Sequence, residues 1–231
     1  MESINIKLTP NKFRNLIKEL LTKQYSFEVL TKKNKINFLS ETNQRLFSIR
    51  PPLNFPRPTQ DLNEWVHLDI IEEYVVVLAR SGIASIGLFK EDQFSYHKVF
   101  RSYLNRKKQG KSQLTYLKTK GKSRAGSRVR LENAKTFFAD INQYINKINP
   151  INRIPIFYFM PVPLLSFWRQ SPTPPPKSLM LHESKKIPLN VKTPGFDEMN
   201  RVNKLLQNAE INCSSKNNYD LLMSIIENLE E

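Results

Sequence analysis

The chain has 231 residues, with 36 Lys and Arg against 21 Asp and Glu, giving a formal net charge of +15. A hydrophobic share of 39% that includes 14 Phe excludes wholesale disorder, and a single cysteine, Cys213, excludes an internal disulfide framework. So large a positive excess predicts a polyanionic partner, while three scattered histidines (His67, His97 and His182) offer no zinc-ligand spacing, so no metal and no cofactor is expected.

Lys7, Lys12 and Lys18 interrupt the N-terminal stretch, so no secretory signal is expected. Apolar runs all fall well short of the roughly 20 residues of a membrane helix, and the expected setting is a cytoplasm. Thr9-Pro10 predicts a helix start, with Thr9 as N-cap and Pro10 at the first helical position. Phe13, Leu16, Ile17, Leu20 and Leu21 then recur at helical spacing. From Tyr25 the period shortens, so that "SFEVLTKKNKINFLS" reads as a hairpin turning near Lys33–Lys35, with "RLFSI" as a further strand. The proline-rich "RPPLNFPRPTQD" (Arg50–Asp61) reads as a connector.

Three strands of an antiparallel meander follow: Tyr74–Arg80, Ile83–Lys90 and Phe94–Tyr103, turning at Ser81-Gly82 and Glu91-Asp92. The unbroken apolar run Val75–Leu78 marks a buried central strand. Ser127 opens a long helix with one apolar stripe (Ala134, Phe137, Phe138, Ile141, Ile145, Ile148) that Pro150 ends. "RIPIFYFMP" is a buried strand, "LLSFWRQ" a short helix and "SPTPPPK" an exposed loop. Ser178–His182 and Lys186–Val191 are weaker strand candidates; Thr193-Pro194 starts another helix, and Tyr219–Leu229 is a last amphipathic one. The expected fold is α/β, a mixed β-sheet flanked by helices with a long basic loop between a strand and a helix.

That loop, about Leu104 to Gly126, concentrates the charge. Between Asp92 and Glu132 there is no acidic residue, and twelve Lys or Arg lie from Lys98 to Arg130. Loops of this length are usually functional or disordered. On composition alone, a solvated loop binding RNA phosphates without specificity fits as well as a catalytic one. "SRAGS" places Gly126 and Ser127 at a helix N-terminus, whose free N–H groups suit a phosphate.

Familiar catalytic sets do not assemble. Ser112 has no histidine close in sequence, no Walker loop or GxGxxG is present, and Asp61, Glu64, Asp69, Glu72 and Glu73 read as solvated surface. His97, in "SYHKVF", reads as structural or RNA-facing; Trp65 and Trp168 as core or interface; Cys213 as an inert thiol after a helix. There remains "QGKSQ", ending in Gln113. A neutral glutamine is no general base, but its amide can orient a water or hydroxyl, and its backbone N–H can meet a developing oxyanion. Such a group serves a substrate that is already activated, as an aminoacyl ester is in the RNA-lined peptidyl-transferase centre.

"HKVFRSYLNRKKQGKSQ" with "KGKSRAGSRVR" resembles the core motif of the Vms-like release factor family. That family includes the eukaryotic ankyrin-repeat and zinc-finger peptidyl-tRNA hydrolase and is related to the catalytic domain of the eukaryotic and archaeal peptide-chain release factor. His97-Lys98, Arg106-Lys107, Gly110, Ser112, Gln113, Ala125-Gly126-Ser127 and Arg130 occupy the motif positions. The resemblance covers Tyr74 to Ile148 well and extends loosely to Leu206. Lys111 stands where the family has a second small residue, and Arg124 interrupts its Ser-Ala-Gly-Ser.

The resemblance implies a release-factor-like fold for residues 61–210, with 1–60 a helix plus a small β subregion and 211–231 a C-terminal helix. It implies a peptidyl-tRNA hydrolase that frees nascent chains from stalled ribosomes or large subunits, in ribosome rescue and quality control. Gln113 would be catalytic, on a loop with Gly110, Lys111 and Ser112. Arg106, Lys107, Lys108, Lys118, Lys120, Lys122, Arg124, Arg128 and Arg130 would bind RNA, and Gly126 and Ser127 would anchor the loop. The implied partners are the large ribosomal subunit, its rRNA and peptidyl-tRNA, with no membrane and a monomer off the ribosome. A tRNA endonuclease cutting near the 3′ end and a non-catalytic rRNA-binding protein stay open as alternatives.

Overall fold

The computed structural model describes residues 4–90, 93–102, 125–181 and 183–229. The chain divides into two compact units, one of Met1–Ile71 with Arg201–Glu231, the other of Glu72–Asn200.

In the first unit, an antiparallel sheet forms in the order β1-β10-β4-β3-β2, with β1 Ile4–Leu8, β2 Ser26–Leu30, β3 Lys35–Leu39, β4 Arg45–Arg50 and β10 Ala209–Cys213. The hairpin β2–β3 turns through a 3₁₀ segment, Thr31–Lys33, and Asn34 closes it with φ 50°, the left-handed region that asparagine tolerates. The sequence pattern does not reveal β1 and β10. Both are five residues long, and β10 lies between β1 and β4, so the end of the chain completes the middle of the sheet. Cys213 therefore ends a strand instead of following a helix. Its thiol is buried, and burial pushes its pKa up, which keeps it unreactive. Arg50 and Glu210, partners in the β4–β10 register, form an ion pair at 3.1 Å.

Helix α1 (Pro10–Thr22) buries Phe13, Leu16, Ile17 and Leu20. Thr9 takes the extended N-cap conformation, but its hydroxyl makes no capping bond, so the proline start and the apolar stripe define the helix. The proline-rich segment is more than a connector. Phe55 is fully buried, with Phe13 and Trp65 around it at ring-centroid distances of 5.7 and 4.9 Å. Trp65, in the one-turn helix α2 (Leu62–Trp65), donates its indole N–H to the Pro56 carbonyl at 3.1 Å.

The second unit is built on a mixed sheet in the order β7-β6-β5-β8-β9. Its strands are β5 Glu73–Arg80, β6 Ile83–Lys90, β7 Gln93–Arg101, β8 Ile156–Phe159 and β9 Lys185–Lys186. The meander β5–β6–β7 is antiparallel, and β8 and β9 add in parallel. Gly82 takes φ 81° in the β5–β6 turn, where a side chain would be strained. Helix α3 (Ala125–Ile148) lays Phe137, Phe138, Ile141 and Ile145 into a core with Val75, Val77, Ala84, Ile86, Ile156 and Trp168 of helix α4 (Val162–Arg169). The fold is thus α/β, a mixed sheet flanked by helices, as expected.

Two strand expectations are corrected. The first overlaps a 3₁₀ turn, Lys177–Met180, and of the second, Lys186–Val191, only Lys186 lies in a strand, the two-residue β9. Pro188 has no N–H to donate, so the pairing cannot continue past Ile187. The helix expected at Pro194 begins at Phe196 (α5, Phe196–Gln207), with Met199 N–H bonded to the Gly195 carbonyl; the last helix, α6, spans Lys216–Glu227 behind a Ser215 cap.

Phe55→Ala should lower the stability of the first unit by about 3–5 kcal/mol, read from chemical denaturation. A loss below about 1 kcal/mol would mean that the proline-rich segment is only loosely held.

Candidate functional site

β7 and α3 flank the basic loop in sequence, and both are firmly placed. Ser102, just after β7, bonds through its N–H to the Gly82 carbonyl at 2.9 Å. Asn142 on α3 and Asn149, the residue just past its end, lie seven residues apart beside the apolar stripe and are fully buried. The Asn142 amide donates to the Thr173 carbonyl at 2.7 Å and accepts from the Trp168 indole. The Asn149 amide donates to the Ile154 carbonyl at 2.9 Å and meets the Ser178 hydroxyl at 3.1 Å. Satisfied buried amides of this kind allow a single register, because any slip strands them in an apolar core. Sequence reasoning missed both; asparagine recurring at a seven-residue spacing on a stripe is the signal that could have found them.

A bulge decides which way β7 presents its side chains. Leu88 pairs with Tyr96 and Phe89 with Phe94, leaving Ser95 as the extra residue. Phe94 and His97 consequently share a face despite their odd spacing, with ring centroids 5.7 Å apart and the Phe196 ring 5.3 Å from His97. The His97 Nε2 lies 2.9 Å from the hydroxyl of the fully buried Ser85. Burial lowers the His97 pKa, which favours the neutral ring. Gly87, the cross-strand partner of His97, gives the Phe89 and Phe94 rings room; a Cβ there would come within 3.1–3.2 Å of them. Of the two readings for His97, this is the structural one. Ser85 is no exposed nucleophile.

Tyr96, Lys98 and Phe100 alternate with that face. The Lys98 ammonium lies 4.8 Å from the Phe100 ring centroid and 5.1 Å from that of Tyr144 on α3. Phe100 and Tyr144 meet edge to face at 5.6 Å. The Tyr144 phenol pKa is raised, first by burial and then by Tyr96, so it stays a neutral donor. Lys98, Arg101, Lys147, Asp140, Gln143 and Tyr144 line an open groove of about 460 Å³ along the β7 edge and α3. The sequence signal was the pairing of Tyr96-x-Lys98-x-Phe100 with a helical Asp140, Gln143, Tyr144, Lys147 face.

Gln113, Gly110, Lys111 and Ser112 lie outside the described residues, as do Arg106, Lys107, Lys108, Lys118, Lys120, Lys122 and Arg124. The backbone is already helical at Ala125, so Gly126, Ser127, Arg128 and Arg130 stand in the first two turns of α3, where the leading N–H groups have no intrahelical acceptor. Among the described residues, no cluster of His, Cys, Asp and Glu could hold a metal ion, and no helix is long and apolar enough to cross a membrane.

The model of one family, bVLRF1, the Bacteroidetes VLRF1 release factors, matches residues 74–214. Among solved structures, "Vms1 mitochondrial localization core" is similar at 14% sequence identity with a TM-score of 0.45, over 84% of this chain and 80% of that one. No curated protein matches.

Burial disfavours charged His97 in the folded state, so its stabilising contribution is complete above the unfolded pKa near 6.5 and is lost as pH falls from there through the lowered folded value. His97→Gln should flatten the dependence of the denaturation midpoint between about pH 7.5 and pH 5.5 relative to the parent. Identical slopes for the two proteins would show that His97 titrates as it does in the unfolded chain.

Proposed function

From a chain that belongs to the bVLRF1 family, the Bacteroidetes VLRF1 release factors, we propose a ribosome-associated peptidyl-tRNA hydrolase that frees nascent chains from stalled ribosomes or large subunits. The observation that carries the reading is where the family match falls. Residues 74–214 contain β7, α3 and the whole basic loop between them, with Gly110, Ser112 and Gln113 inside it.

The chemistry needs little from the protein beyond placement. The ester of peptidyl-tRNA is already activated, and the oxygen of a water attacks its carbonyl carbon. The bond to the terminal ribose oxygen breaks, that oxygen takes up one of the water's protons, and the nascent chain leaves as a carboxylate with the other proton lost to solvent. The Gln113 amide orients the water, and its backbone N–H faces the oxyanion as it develops. Gly110 gives the turn room, while Lys111 makes it stiffer than a glycine would. The basic residues Arg106, Lys107, Lys108, Lys118, Lys120, Lys122, Arg124, Arg128 and Arg130 neutralise the phosphates of rRNA and tRNA around the loop. Gly126 and Ser127 anchor it through the free N–H groups of the first turn of α3.

The β7–α3 base supports this division of labour. Buried amides and an apolar stripe hold two fixed posts, and the chain between them carries the charge and the glutamine.

Gln113→Ala should cut release of a nascent chain from stalled ribosomal complexes by about 100-fold or more, with ribosome binding measured by co-sedimentation changed by less than about 2-fold. Undiminished release by this variant would remove the hydrolase assignment and leave an RNA-binding protein. The tRNA 3′ end should remain intact after release; a shortened tRNA would make the enzyme an endonuclease.

A further inference from the structure

The groove along β7 and α3 is built from residues other than those of the glutamine turn, and its chemistry is specific. Tyr96, two residues before Lys98 on β7, is 56% exposed, and Tyr144 forms part of the wall. Both rings lie on the side where Lys98 is held between Phe100 and Tyr144. Exposed Lys98, Arg101 and Lys147 outnumber the one acid, Asp140. Interleaved cations and aromatic faces are the combination that binds single-stranded nucleic acid, with phosphates on the cations and bases stacked on the rings. Asp140 and Gln143 add hydrogen-bond acceptors on the α3 wall, suited to base amines or a ribose 2′-hydroxyl. A duplex offers its bases no such access.

The geometry points to this groove as a binding site for a single-stranded segment of ribosomal RNA, distinct from the loop that carries Gln113. The inference rests on the release-factor reading for its partner. The choice of ribosomal RNA over tRNA follows from that reading too. On that reading the acceptor end, the single-stranded terminus of tRNA, is committed through its ester to Gln113, which leaves ribosomal RNA as the single strand for the groove. Lys98 is well suited to the task because its position is set before RNA arrives. Two rings flank the ammonium, yet it remains exposed and keeps its donors. β7 runs directly, in sequence, into the cationic segment, so the groove adds to one continuous run of positive charge.

The test uses the full chain and a fluorescein-labelled single-stranded RNA 12-mer containing 5-iodouridine, followed by anisotropy and by photocrosslink mapping. Lys98→Gln with Lys147→Gln should weaken binding about 10-fold near 150 mM salt and reduce the log–log salt slope by about 1.4, two phosphate contacts at about 0.7 each. Lys32→Gln with Lys33→Gln, the same charge loss in the first unit, should leave the slope unchanged. Crosslinks should form at Tyr96 or Tyr144. Tyr144→Phe should keep the affinity, and Tyr144→Leu, which preserves an apolar contact with Phe100, should lower it by at least about 5-fold.

Equal slopes for the two lysine pairs, or crosslinks absent from both tyrosines, would overturn the proposal. So would a duplex of the same sequence binding as tightly as the single strand. Competition by deacylated tRNA with crosslinks to its acceptor end at Tyr144 would overturn the ribosomal assignment. None of these readouts depends on ester cleavage. Failure of the groove therefore leaves the release assay on Gln113→Ala to stand alone, and failure of that assay leaves the groove's RNA binding intact.

Discussion

The second unit depends above all on the packing of α3 against its sheet. Phe137, Phe138, Ile141 and Ile145 are buried in one core with Val75, Val77, Ala84 and Ile86. Each such side chain contributes about 1.5–3 kcal/mol on leaving water, a large sum against the marginal net stability of a domain. The chain from Lys98 to Arg130 carries twelve cations and no acid. Self-repulsion opposes gathering that charge, and a polyanion reverses the sign of the effect. β7 and α3, which bracket that run in sequence, are held by their own packing and hydrogen bonds.

Apolar packing alone would leave α3 free to slide or rotate by small steps, because dispersion is not directional. The amides of Asn142 and Asn149 remove that freedom. Each is buried and bonded to backbone or side-chain partners outside the helix. A rotation that kept the stripe buried would still break those bonds, at about 1–3 kcal/mol for each group left unsatisfied. On the sheet side, the bulge at Ser95 does comparable work. It turns His97 toward Ser85 and Phe196 while aiming Lys98 at Tyr144. One extra residue thus separates a structural face from a charged, aromatic one on a single strand.

The first unit is held differently. Its sheet draws strands from both ends of the chain, with β10 between β1 and β4, and its core is rich in edge-to-face aromatic contacts among Phe13, Phe55 and Trp65. The segment that reads as a proline-rich connector takes part through Phe55. Prolines in it restrict the backbone of the unfolded chain and so lower the entropic cost of placing that ring. Composition points to a linker because it reports the prolines and not what a single phenylalanine between them will touch.

Long periodic or continuous apolar patterns were legible in the residues alone: the α1 stripe, the α3 stripe, the β5–β6–β7 meander with its Gly82 turn, and β8. Each carries enough apolar side chains in one repeat to specify its own burial. The charge run, the glutamine turn and the resemblance to a release-factor family were equally legible, since they are properties of the order of residues. Tertiary structure decided what depends on partners far along the chain. β1 and β10 are too short to declare themselves, and become strands through hydrogen bonds to each other across more than two hundred residues and, for β10, to β4 as well. The Lys186–Val191 stretch, apolar in part, contributes only Lys186 to the two-residue β9, because Pro188 withholds a donor. The face that Lys98 shares with Tyr144 exists only once a bulge has shifted the strand's parity, and parity is a property of pairing, which no single strand contains.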